Sequence, residues 1–424
     1  MRIVAAWILI VSLTACGSSG GGGGGTSVPP IAVQNSSYGN RMAAAAAGNT
    51  ILPGISGIAN YSANTSLSEG LSERSIAFGD FERNGTYDAV AVSTFYDPSL
   101  YTADDPQHWP NSPGKVHFLR NTVSGWSDIT STLLVGSATT QDCISPNFVE
   151  VADLNGDGRP DVVISCTGID FTVGGVFTSA QLAHQYVLMS QSNGRYVMQQ
   201  LPGNPIYGHQ ATVADIRGTG HMDIIFPDTA GTHHPVAYWN DGFGNFTEDL
   251  TSIPSDLPDT QGASIYGIRA VPVNGAVDVI FSGSPSTSIS GPTPPGTYGT
   301  KIAQYVGGHF QYVGDLSNSI PLVSDGSGLT YGLMLDTFYS NGYWYQLRVS
   351  DQYTYHAYIK VNATTLASQI IYEHDDSSGT SAGPGGSFAL DNGMVKPLMT
   401  DCSAYDIATP GAWFHTECTL SVPQ

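Results

Sequence analysis

Phe148-Val-Glu-Val-Ala-Asp153-Leu-Asn-Gly-Asp-Gly-Arg-Pro-Asp161-Val-Val-Ile164 reads as an apolar strand, an acidic turn closed by Asp, and a second apolar strand. The β-branched runs on either side are strand signals, and the Gly- and Pro-rich turn between them continues neither a helix nor a strand. The phrase recurs as Ser75-Ile-Ala-Phe-Gly-Asp80-Phe-Glu-Arg-Asn-Gly-Thr-Tyr-Asp88-Ala-Val-Ala-Val92 and as Ala211-Thr-Val-Ala-Asp215-Ile-Arg-Gly-Thr-Gly-His-Met-Asp223-Ile-Ile-Phe226. A fourth copy, Ile268 to Phe281, replaces the acidic turn with Asn274-Gly275, the pair favoured by a tight type I′ hairpin. Fainter echoes run from Leu333 to Trp344 and from Phe388 to Lys396.

The anchors Asp88, Asp161, Asp223, Asp278, Trp344 and Lys396 lie 73, 62, 55, 66 and 52 residues apart, which makes six units. A second hairpin sits between anchors, clearest from Val236 to Phe246 and from Tyr186 to Tyr196, with related forms from Val116 to Trp126 and from Ile302 to Phe310. Two hairpins give four strands per unit. Four-stranded units repeating at tens of residues are the mark of propeller blades, which bury their faces against neighbouring blades. The fold expected is all-β, a β-propeller of four-stranded blades, six by the repeats, with residues 38 to 74 supplying either a closing strand to the last blade or a degenerate seventh. These residues resemble the FG-GAP/VCBS repeat propellers, which include the head of the integrin α chain, over Ser75 to the C-terminus.

The acidic turn suggests a ligand. Asp153, Asn155, Asp157 and Asp161 put oxygen side chains at positions 1, 3, 5 and 9, Arg159 offers a carbonyl at position 7, and Gly158 allows a sharp turn at position 6. An all-oxygen set of this kind suits Ca²⁺. Crowded on one turn, the carboxylates repel one another, so the ion is expected to hold the loop compact. An EF-hand begins in the same way but needs an acidic ligand at position 12 on an outgoing helix; here that position is Ile164, with Ala91 and Phe226 as its equivalents, all in β-rich runs. The first copy offers Asp80, Glu82, Asn84, the Thr86 carbonyl and Asp88 as a second set, with a Glu longer than the usual Asp or Asn. The Asp215 loop places Arg217 at a ligand position, and the expectation there is a metal-free turn with Arg217 paired to Asp215 or Asp223.

The chain opens with Met1-Arg2, an apolar run from Ile3 to Leu13, and Leu13-Thr14-Ala15-Cys16. This resembles a bacterial lipobox, which implies residues 1–16 as a signal, Cys16 as the lipidated first mature residue, and a place at the outer membrane or cell surface. Residues 17–37 are a flexible Gly/Ser tether, of which Gly17 to Pro30 reaches ~20 Å, and 38–424 the propeller. In an oxidising compartment the four remaining cysteines form two bridges; proximity favours Cys143 with Cys166 and Cys402 with Cys418, and two other pairings stay open.

With Lys+Arg 14 against Asp+Glu 35, the net charge of -21 repels nucleic acid and anionic lipid alike, so the membrane is reached through the lipid alone. Gly379-Thr-Ser381-Ala-Gly383 matches a nucleophile elbow, but no helix pattern follows it. His233-His234 has no third metal ligand nearby, and the aromatic clusters at Tyr339 to Tyr345 and Tyr353 to Tyr358 alternate as blade core does. The resemblance implies binding: a surface protein recognising a protein or glycan through insertions such as Asp97 to Pro113, Ile169 to Ala183 and Ser284 to Thr300. The alternatives are a propeller lyase or hydrolase acting on polysaccharide, which requires convergent acid and base groups at the axis, or a periplasmic scaffold.

Overall fold

The computed structural model describes residues 71–421 apart from 87, 95–112, 123–124, 145, 169–181, 229–233, 254–262, 286–298, 351–354, 376–384, 392–393 and 403–417. The expected signal, lipidation site Cys16 and tether, residues 38–70, His233 and the Gly379–Gly383 motif lie outside the described residues.

Six sheets follow one another along the chain, antiparallel throughout except for one short parallel pairing at an edge of the second. The first is β1 (Leu71–Gly79), β2 (Asp88–Thr94), β3 (Pro113–Thr122) and β4 (Gly125–Asp128). A short helix, α1 (Thr130–Leu133), leads into β5 (Leu134–Val135) and β6 (Thr139–Ile144). The second sheet is β7 (Pro146–Ala152), β8 (Asp161–Cys166), β9 (Tyr186–Ser190) and β10 (Tyr196–Gln200). The third is β11 (Thr212–Ala214), β12 (Asp223–Phe226), β13 (Val236–Asn240) and β14 (Phe246–Asp249). The fourth is β15 (Ala263–Val273), β16 (Ala276–Pro285), β17 (Thr300–Val306) and β18 (His309–Asp315). The fifth is β19 (Leu333–Ser340), β20 (Tyr343–Val349), β21 (Tyr355–Asn362) and β22 (Ser368–Asp375). The sixth is β23 (Gly385–Asp391), β24 (Met394–Cys402) and β25 (Cys418–Ser421).

Each sheet is a meander, and the first strands β1, β7, β11, β15, β19 and β23 lie side by side in that order, with β23 returning to β1. This is a β-propeller. The blade count corrects the expectation: five sheets carry the full four-stranded meander, while the sixth has three strands among the described residues. Neighbouring first strands run in the same direction. Ile268 N donates to Gln210 Oε1 and Ala270 N to Thr212 Oγ1, both across a separation of 58 residues, so β15 keeps step with the segment of β11. Among the described residues, the first strands therefore end, and the second strands begin, at one end of the propeller, and the second strands finish at the other.

The faces between blades are the core. Phe81, Phe118 and Tyr196 pack edge-on and tilted at centroid distances of 5.3, 5.9 and 4.8 Å between the first two sheets. Ala152, Val163, Ile224 and Tyr238 fill the next gap, Ile225, Val279 and Phe281 the third, and Tyr331, Met334 and Trp344 the fourth. The aromatic cluster at Tyr339 to Tyr345 is blade core as expected, with Trp344 3% and Tyr345 9% exposed. Cys143 of β6 is bonded to Cys166 of β8, tying the link between the first two blades to the second. Cys402 and Cys418 stand opposite each other in the register of β24 and β25.

Candidate functional site

The acidic turns are first-to-second hairpins at one end of the propeller. Ile164, Ala91 and Phe226 fall inside β8, β2 and β12, so each turn leads into a strand and the EF-hand geometry is absent.

In the Asp153 turn, Gly156 N and Gly158 N donate to the two oxygens of Asp153 at 2.8 and 2.9 Å. Asp157 N donates to Asn155 Oδ1 and Arg159 N to Asp157 Oδ1, while Ser190 Oγ donates to Asp157 Oδ2 at 3.1 Å. Asp161 is wholly buried, and it accepts Leu154 N at 2.7 Å and Ser190 N at 2.6 Å. Burial pushes its carboxyl up to about 7, against the pull of the Ser190 and Leu154 donors. Asp161 thus pins the end of the third strand to the start of the turn.

The other copies repeat this plan. Asn84 N and Gly85 N donate to the two oxygens of Asp80 at 2.8 and 2.9 Å, and Thr86 N to Asn84 Oδ1. Glu82 does not face this turn alone: Arg120 of β3 clasps both of its oxygens at 2.5 Å. In the third copy, Thr219 N and Gly220 N close on Asp215, and Asn240 N donates to Asp223 Oδ1. Arg217 pairs with Asp223 at 2.8 Å, one of the two pairings expected, and lies 5.1 Å above the Trp239 ring. Asn274 and Gly275 have φ of 50° and 88°, which is the type I′ hairpin.

Does this loop fit calcium? Asp153, Asn155, Asp157, Asp161 and the Arg159 carbonyl are a hard, all-oxygen set, and each carboxylate oxygen that accepts one N–H keeps a second lone pair. Among the described residues, however, no three acidic, His or Cys side chains gather as a metal group. The fit is one of donor type. The turn also has its own N–H donors: Asp153, Asp157 and Asp161 each accept at least one backbone N–H.

No local spacing in the sequence marks charged groups at the axis, yet three meet there. Arg269 of β15 donates from Nη1 to Glu150 Oε2 of β7 at 2.9 Å and from Nε to Asp336 Oδ1 of β19 at 2.9 Å. Its Nη1 also reaches Ala211 O, and the guanidinium lies 4.6 Å above the Phe148 ring. Glu150 and Asp336 are 4% and 2% exposed, which closes them to solvent. These residues are 119 and 67 positions from Arg269, beyond any local spacing signal. Their places on first strands are the one clue available, because in a propeller first strands meet.

No protein-family model and no curated protein matches the chain. Among solved structures, it is similar to RS223-Beta-xylosidase at 10% identity and TM-score 0.39, over 84% of this chain and 93% of that one. It is similar to the polysaccharide lyase Uly1 at 10% identity and TM-score 0.38, over 84% and 77%. The GH43_1 enzyme from Xanthomonas citri shares 10% identity at TM-score 0.37, over 66% and 86%.

Proposed function

We propose that this chain is a surface-held binding protein of the FG-GAP/VCBS type, anchored through a lipid on Cys16 at a bacterial outer membrane. It recognises a protein or glycan through the connections at one end of the propeller, with Ca²⁺ bound in the Asp153 turn. The supporting observation is topological. The second strands β2, β8 and β16 end, at Thr94, Cys166 and Pro285, opposite the acidic turns, and the three longest insertions in the sequence follow from those strand ends. At the other end, Asn240 Nδ2 donates to Leu154 O of the neighbouring blade at 2.6 Å, which couples the acidic turns to one another.

The test is a glycan and matrix-protein array probed with the detergent-solubilised full chain, with Ca²⁺ and with chelator. A specific hit that weakens with chelator, and weakens in Asp157→Ala without chelator, is the expected result. A hit indifferent to both removes calcium from the reading, and a blank array removes binding.

A second reading, an enzyme acting on polysaccharide, draws support from the axial Glu150, Arg269 and Asp336. Both carboxylates are tied to one cation and shut from water, an arrangement that suits support better than proton transfer. New reducing ends or unsaturated products from a polysaccharide panel, lost in Glu150→Gln with the fold retained, would reverse that preference.

A further inference from the structure

Arg348, the penultimate residue of β20, is the largest wholly buried side chain among the described residues. It forms no ion pair with a described carboxylate. Burial pushes its guanidinium down to about 9, still charged at neutral pH. Its partners are neutral: Gln346 Oε1 at 2.7 Å, Gly332 O at 2.9 Å, Tyr331 O at 3.3 Å and Thr300 Oγ1 at 2.8 Å. Arginine has five N–H donors, so one on Nη2 is left over.

Around it lie further donors with nothing to donate to. Gln346 Nε2, on the same amide whose oxygen holds Arg348 Nε, is buried without a partner. The Thr330 hydroxyl, next to the Tyr331 carbonyl, is likewise buried and unpartnered. So is that of Ser319, two residues beyond the Ser317 hydroxyl that accepts Thr300 N. Buried polar groups are almost always paired, and a buried charge without a counter-charge is more costly still. Here a full positive charge and several unused donors share the seam between the fourth and fifth blades, where β17 begins and β20 ends. Such a group is satisfied by a small particle that is negative and purely accepting.

We propose that a small monovalent anion of the chloride class is bound between these two blades, held by Arg348 Nη2 and Gln346 Nε2 and counter-charging the guanidinium. An anion that binds only the folded state stabilises it by mass action, so above its dissociation constant each tenfold rise in concentration shifts the folded-to-unfolded ratio about tenfold.

The experiment is thermal unfolding of the full chain in sodium chloride and in sodium methanesulfonate at equal ionic strength. A saturable rise in melting temperature with chloride alone is expected. Gln346→Glu keeps the size of the side chain and puts a carboxylate oxygen where Nε2 stood, so that variant supplies its own counter-charge. It should fold without chloride and lose the chloride response. Crystals grown in bromide should show an anomalous peak against Arg348 Nη2 and Gln346 Nε2. Equal melting curves in the two salts, an unchanged response in Gln346→Glu, or water alone at that position would each overturn the proposal.

Discussion

Across the three acidic turns, a single residue type performs two jobs. The opening Asp caps the turn by accepting two backbone N–H groups, and the closing Asp, buried at the foot of the second strand, holds the third strand in Asp161 and Asp223. Asp249 follows the same logic at the end of the third blade. Burial raises its carboxyl, but Thr251, Trp239 and Ser252 together donate enough to hold it at about 2. A carboxyl depressed in the folded state stabilises it above its unfolded value near 3.8 and ceases to do so as pH falls toward about 2. Asp249→Asn should therefore lower the urea midpoint at pH 5, and the gap to the parent should narrow steadily between about pH 4 and pH 2. A gap that stays constant over that window would deny Asp249 this role. Residue pairings were legible only when short: Arg217 needed a partner, and Asp223 stood six residues away. Arg120, which takes Glu82, stands 38 residues off on another strand, and nothing local announces it.

Hairpins were the readable elements. Alternating apolar runs punctuated by Asn-Gly, Asp-Gly or Gly-rich turns fix their own partners, and the strands from Val116 to Trp126, Tyr186 to Tyr196, Val236 to Phe246 and Ile302 to Phe310 all form as expected. The link between the first two blades was not readable. There β5 adds in parallel to β10 and β6 adds to β3, choices made by open sheet edges and by the Cys143 bridge rather than by local pattern. Close approach between elements was equally hidden. A register shift in β15 beside Gly267 faces one in β19 beside Met334, and a Cβ on Gly267 would stand 2.5 Å from Met334 O. Since that oxygen is backbone, Gly267→Ala must part the two strands, at a cost of about 1–3 kcal/mol. Chemical denaturation should show it as a lower midpoint with an unchanged slope. An alanine variant as stable as the parent would mean the strands have room to spare.

At the scale of the whole molecule, a propeller has no single core, only seams between blades, and the axis is where seams converge. Arg269 of the fourth blade there touches Phe148 and Glu150 of the second, the Ala211 carbonyl before the third, and Asp336 of the fifth. One guanidinium thus joins four consecutive blades. Removing one member of a buried ion network costs about 3–5 kcal/mol, because it strands the opposing charges, whereas replacing all members with neutral groups is often tolerated. Arg269→Met should accordingly leave Glu150 and Asp336 facing each other unneutralised and lower stability by about that amount. Adding Glu150→Gln and Asp336→Asn to it should recover most of the loss. If the triple variant recovers stability and still binds its array ligand, the axis serves as support. If Arg269→Met alone is as stable as the parent while polysaccharide turnover disappears, the charges are there for chemistry and the enzyme reading displaces the binding one.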